Sequence, residues 1–403
     1  MQTQLCATYP TRWIVPNGVP DSLLQHVASF RAAGRLPVVV YHHPATGVIF
    51  FFFLLRCGGL STPKDQKIKG AQCLLIQAVL CRSSQPLLTL RGRRCVEDEQ
   101  YLASLLSDTA DELVRSERPL SHSQGIIIDA RTKANAHQSR QRGGGFEMES
   151  HYSRFKLYFT TIERPETIKM THANLSELLR QSDAPMAAVL QSKAAYLTHL
   201  HAILRVVTSA CTFLNRKEAK ILVHCDDGMD MTCILVSLIK LLQSAHYRTF
   251  TGFLDLLQED WVDFGFPFIE RTDAATHVVS SLHGTHDNAA NELLQGTFPT
   301  FELFLDGVRH VMGQHPTQFA FTESALLWLL RRSICIAAED RETFLRGFDS
   351  AEDGHRNAAF AAAVDEEGED LPLTVSLESD HFSLWPALLE PCAHPFAIQH
   401  CSL

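Results

Sequence analysis

The stretch LVHCDDGMDMT, residues 222–232, decides how the chain folds. It is entered from KILVHC (220–225), a short apolar run of the kind that forms a buried parallel strand. It is left through Ile234, Leu235, Leu238, Ile239 and Leu242, apolar positions at helical spacing. A strand, a tight turn through Gly228 and a helix are therefore expected in succession. Outward from it, GIIIDA (125–130) reads as a second buried parallel strand. RLPVVVYHHPATGVIFFFFLL (35–55) reads as two strands joined at a turn through Pro44 to Gly47. Helical spacing returns in FELFLDGVRHVM (301–312) and ESALLWLLRRSICIA (323–337), after a polar connecting loop at 272–295. The expected fold class is α/β, a central, mostly parallel sheet flanked by helices. Residues 56–81 interrupt the strand region and read as an insertion.

The loop has the layout that cysteine-dependent phosphate chemistry needs. A thiolate attacks phosphorus while consecutive backbone N–H groups at a helix N-terminus hold the phosphate oxygens. Cys225 has that address, at a strand end before a helix, where a thiol's pKa is expected to fall. Gly228 allows the tight path, and Asp227 or Asp230 could protonate the leaving alkoxide. The sixth residue after the cysteine should be arginine, whose planar fork stabilises transition-state charge; it is Met231, which cannot. Losing one preorganised donor costs on the order of 10² to 10³ in rate. Asp226, Asp227 and Asp230 are expected to repel a phosphate unless a cation compensates them. A lone cysteine before a helix is more often packing than catalysis, so the loop needs the rest of the chain to be specific.

With its flanks the loop resembles the myotubularin family of phosphoinositide 3-phosphatases, whose loop reads Cys-Ser-Asp-Gly-Trp-Asp-Arg-Thr after Val-His. Cys225, Asp227, Gly228, Asp230 and Thr232 match, and Asp226, Met229 and Met231 depart. HYRTFTGFLDLLQEDWVDFGFPF (246–268) is similar to the family's later landmarks through Arg248, Gly252, Phe253, Trp261, Phe264 and Gly265. RSSQP (82–86), IIDARTKANA (127–136), GGGFE (143–147) and SLWP (383–386) look like further family blocks in order. The resemblance implies one phosphatase-type domain over 1–403: N-terminal strands to residue 55, the insertion at 56–81, a core at 82–272 holding the phosphate loop 224–232, and a helical part at 296–403. No PH-GRAM domain and no coiled coil is read in the chain. The resemblance also implies substrate contacts at Asp226, Gly228, Met229, Asn135 and Arg271, while Phe266 and Pro267 stand where active members carry a basic pair.

Composition limits the alternatives. Hydrophobic content of 45%, charged content of 20% and a mean hydropathy of -0.03 are those of a globular protein. A formal charge of -9 argues against nucleic-acid binding. Eleven scattered cysteines without a CxxC pair suit a reducing interior, and no leader is read at the N-terminus. The longest apolar run, Val48 to Leu55, is too short to cross a membrane. No metal or cofactor is expected; the three loop aspartates offer too few oxygens for Mg²⁺ or Ca²⁺. The reading implied is a pseudophosphatase, cytoplasmic and peripheral at endosomal membranes, whose partners are an active family member or phosphoinositide headgroups. The alternative is an active 3-phosphatase working through a Cys225 phosphocysteine, with Arg271 or Arg248 supplying the missing charge.

Overall fold

The computed structural model describes residues 5–10, 12–16, 19–43, 53–57, 78–88, 92–106, 125–181, 183–216, 219–271, 300–334, 355–360 and 372–385. The chain divides into two compact units. The first comprises Met1–Ile162, Val206–Ile239 and Asp263–Gly265, and the second Glu163–Arg205, Lys240–Val262 and Phe266–Leu403.

The first unit is built on a sheet of seven strands among the described residues: β1 (Arg12–Pro16), β2 (Val38–His43), β3 (Phe53–Cys57), β4 (Ala78–Ser84), β5 (Gly125–Asp129), β6 (Phe155–Phe159) and β7 (Ala219–Cys225). Their order is β3-β1-β2-β4-β7-β5-β6. The β4–β7, β7–β5 and β5–β6 pairings are parallel; β2–β4, β1–β2 and β1–β3 are antiparallel. The fold class is α/β as expected, with the parallel half carrying the loop. Strand β7 is buried along its whole length because β4 and β5 cover both its edges and the core its faces. Ile221, Leu222 and Val223 are each at most 1% exposed, and burying such a side chain contributes roughly 1.5–3 kcal/mol. Helices α1 (Asp21–Phe30) and α2 (Val96–Leu106) pack on each other, and Leu24, Val27, Tyr101 and Leu105 join Val38, Val79, Ile127 and Leu222 in one core cluster. Helix α3 (Lys133–Gln141) follows β5, capped by Thr132, whose hydroxyl accepts from the Asn135 N–H.

Two expectations change here. Strands β2 and β3 do not pair with each other, since β1 lies between them; pairing both with one N-terminal strand needs only local sequence to reach a common neighbour. The insertion is narrower than 56–81. Arg56 and Cys57 close β3, and Ala78–Cys81 open β4, buried between β2 and β7, so these residues belong to the sheet. The turn at 44–47 and the loop at 272–295 lie outside the described residues.

The second unit is helical. Helix α4 (Pro165–Arg180) begins on a proline, which suits the first helical position. Helix α5 (Met186–Leu214) and helix α6 (Asp230–Gln243) are each shared between the units. Helix α7 (Phe250–Leu257), a π-helical turn at Gln258–Asp263, α8 (Phe268–Arg271), α9 (Thr300–Gln314) and α10 (Glu323–Ile334) complete it. Its core is aromatic: Trp261, fully buried, meets the rings of Phe266, Phe301 and Phe304 at 4.7, 5.0 and 5.0 Å. Phe266 thus serves this core where a basic residue was looked for. By length and composition α5 alone among the described helices could cross a membrane, which the sequence reading missed; 44% of its most apolar window is buried inside the protein.

Candidate functional site

The loop from His224 to Thr232 lies wholly in the first unit. Gly228 has φ +74°, and a Cβ there would meet the Ser83 carbonyl oxygen at 2.5 Å. Both conditions require glycine. The cause of the crowding is the β4–β7 pairing, which sets Ser83 beside His224 and Ser84 beside Cys225.

Two buried arginines hold this loop from behind. Arg35 and Arg82 each donate to the Gly228 carbonyl, at 3.2 and 3.0 Å. Arg82 also donates to Cys233 Sγ at 2.9 Å and stacks over Phe264, while Arg35 donates to Thr8 Oγ1 and the Phe264 carbonyl. A trans peptide points its N–H opposite to its C=O, so the Met229 N–H faces away from the arginines. There it donates to Asp227 Oδ1 at 2.9 Å.

Beneath the loop runs a chain of buried charges. His224 Nε2 lies 2.9 Å from Glu147 Oε2; Glu147 accepts from Arg31, and Arg31 bonds both oxygens of Asp98, which also accepts from the Tyr152 hydroxyl. Burial disfavours charge on His224, but Glu147 and Asp129 outweigh it and its pKa is raised. Burial likewise opposes ionisation of Glu147, yet His224 and Arg31 hold its carboxyl far below the usual range. With His224 protonated, the two cations and two carboxylates balance.

The reacting side is different. Cys225 is buried, accepts from the Thr232 hydroxyl at 3.1 Å, and its thiol points to Asp227 Oδ1 at 3.8 Å. Burial pushes this thiol up to about 12; Asp227, Asp230 and Asp226 push the same way, against the Thr232 hydrogen bond. The lowered pKa expected from a helix N-terminus is therefore reversed, because the negative neighbours and the lost water outweigh the helix dipole. At neutral pH only about one thiol in 10⁵ would be ionised. Met231 and Met229 are buried, 3% and 8% exposed, so the position expected for the catalytic cation is filled by a thioether. Asp230 opens α6 and is also buried.

Asp226 is not the uncompensated charge that was expected. Its Oδ1 accepts from Arg131 Nη1 at 2.7 Å and from Ser139 Oγ at 2.9 Å, although its side chain is 58% exposed. Arg131 is itself held by Asp129 through Nε and Nη2, by the Gly145 carbonyl and by Gln85 Oε1. Asn135 stands one turn before Ser139 on the same face of α3, beside the loop. Arg271 ends α8 in the second unit. Arg248, the other candidate surrogate, lies in the second unit, where it is buried and donates to the carbonyls of Leu241 and Leu242.

Sequence reasoning passed over Arg35, Arg82, Gln85, Arg131 and Glu147 as functional positions. All five lie in quoted stretches, and DAR, an aspartate and an arginine two apart after a buried strand, is the usable signal for Arg131. Among the described residues, one group of acidic and histidine side chains converges as metal ligands do, the exposed Glu378, Asp380 and His381, and the loop aspartates do not form another.

Comparison with known proteins agrees with this architecture. The family model for the myotubularin-like phosphatase domain matches residues 1–75 and 73–345. Myotubularin-related protein 9 of Mus musculus is 28% identical over 391 residues, 95% of this chain and 61% of that protein. Its counterpart in Bos taurus is 30% identical over 82% of this chain and 50% of its own length. Phosphatidylinositol-3,5-bisphosphate 3-phosphatase MTMR2 of Bos taurus is 30% identical over 81% of this chain and 43% of its own length. The chain thus spans about half the length of these relatives.

Proposed function

As the chain belongs to the myotubularin-like phosphatase family, we propose that it is a catalytically silent member, a pseudophosphatase that binds or regulates rather than hydrolyses. The observation that carries this is Met231, buried at 3% exposure where the resemblance places an arginine; burial, together with Asp227, Asp230 and Asp226, also pushes the Cys225 thiol up to about 12. The two features are linked, since a guanidinium at position 231 would also favour the Cys225 thiolate, and Met231 supplies no such charge.

What survives is a rigid loop on a complete scaffold, suited to recognition. Its partners in this reading are an active phosphatase of the same family and phosphoinositide headgroups, at the cytoplasmic face of endosomal membranes. A role in phosphoinositide metabolism and membrane trafficking would follow from modulating that partner. A surrogate arginine is disfavoured by Arg248, whose guanidinium caps carbonyls at the far end of α6.

The test is phosphate release from vesicles containing phosphatidylinositol 3-phosphate or 3,5-bisphosphate, with Cys225→Ser as control. The expected result is no release above the control from protein that unfolds cooperatively. Release above it would establish the competing reading, removal of the 3-phosphate through a phosphocysteine on Cys225.

A further inference from the structure

Arg131 is 6% exposed at its side chain, and every N–H of its guanidinium has an acceptor. Nε and Nη2 face Asp129 and Gly145, inward; one Nη1 hydrogen goes to Gln85. The remaining Nη1 hydrogen goes to Asp226 Oδ1, on a carboxylate that is more than half exposed. The Ser139 hydroxyl reaches the same oxygen from α3. Its other neighbour, Gln85 Oε1, already accepts from Arg131 and from the Gly145 N–H, which leaves the hydroxyl proton for Asp226. Two donors from two different elements thus converge on one anionic oxygen at the solvent side of the loop, one residue from Cys225.

We infer that Asp226 is an internal anion: its carboxylate oxygen occupies a position that Arg131 and Ser139 would otherwise offer to an oxygen of a phosphate monoester, and so closes this site. The inference rests on the pseudophosphatase reading and gives it a regulation, since displacing Asp226 opens the site. The chemistry fits a phosphate because the donors are one charge-assisted guanidinium N–H and one hydroxyl. Arg131 is shared between Asp129 and Asp226, so its single charge only partly offsets Asp226, and an incoming dianion must displace a paired carboxylate. Removing it both frees the donors and removes the repulsion.

Titration of the full chain with inorganic phosphate at low salt, followed by calorimetry, tests this. Asp226→Ser should bind at least about tenfold more tightly than the native chain, the worth of one charge-assisted hydrogen bond. Asp226→Asn, which removes the charge but keeps an oxygen on Arg131 and Ser139, should recover less than about a third of that gain. Adding Ser139→Ala to Asp226→Ser should cancel much of it. Equal gains for Asp226→Ser and Asp226→Asn would overturn the inference, since charge alone would then explain them; so would an Asp226→Ser chain that binds no better than native.

Vesicles with and without phosphatidylinositol 3-phosphate form the second arm. A gain that depends on that lipid places a headgroup phosphate in the site, and a gain for inorganic phosphate alone places free phosphate there; both support the opened site. Phosphate release by the native chain above the Cys225→Ser control would overturn the pseudophosphatase reading, and it is read in a separate assay.

Discussion

The two sides of one loop have had different fates. Behind it, Arg35 and Arg82 grip the Gly228 carbonyl, and His224, Glu147, Arg31 and Asp98 form a charge-balanced buried chain. In front, burial and three carboxylates push the pKa of the Cys225 thiol up, Met231 is buried, and the Asp226 carboxylate accepts from Arg131. The rear groups are buried and mutually dependent, so any one loss leaves an uncompensated charge inside the protein. The front groups face solvent or one another, and their loss costs chemistry before it costs stability.

The sharpest attack on this contrast is at the rear. Glu147→Ala strips His224 of its carboxylate partner and Arg31 of one of its two, Asp98 remaining, and should lower unfolding stability by about 3–5 kcal/mol in denaturant titration. A loss below about 1 kcal/mol would mean that the buried chain is not what holds the loop. Next comes Gly228→Ala, which forces a Cβ into the left-handed region and against the Ser83 carbonyl; it should cost about 2 kcal/mol or more by the same measurement.

The pH dependence follows from two opposite shifts. Glu147 has a depressed pKa, so its contribution is present above its unfolded value of about 4.3 and is lost as pH falls through the folded one. His224 has a raised pKa, so its contribution is complete below about 6.5 and is lost as pH rises through the folded value. Both are full between those limits, and the Tm of the native chain should fall on either side of that window. In Glu147→Gln the fall on both sides should flatten.

Smaller effects belong to the front. Iodoacetamide alkylation of Cys225 in the folded chain should climb with pH without levelling off before about 12. Asp227→Asn should speed it at pH 8 by about three- to tenfold, since its carboxylate is the nearest negative charge to the thiol. Asp226→Asn should change stability by less than about 1 kcal/mol, as exposed ion pairs do. A large loss there would erase the distinction between the two sides.

What could be read from the sequence was what is contiguous in it. The strand into Cys225, the turn at Gly228, the helix after Asp230 and the substitution at Met231 lie within one short stretch, where apolar spacing and glycine's conformational freedom act locally. The same locality misled where tertiary neighbours decide. The thiol's pKa was expected to fall from the helix N-terminus, but burial and three carboxylates raise it. Asp226 was read as bare charge because its partner Arg131 is 95 residues away. Arg35 reaches Gly228 across 193 residues, and Glu147 reaches His224 across 77. The sequence by itself therefore determined the loop and the loss of its arginine, since backbone preference and residue identity are local properties. The tertiary structure alone decided which charges are paired, because Coulomb energy and desolvation depend on distances in space that chain separation does not set.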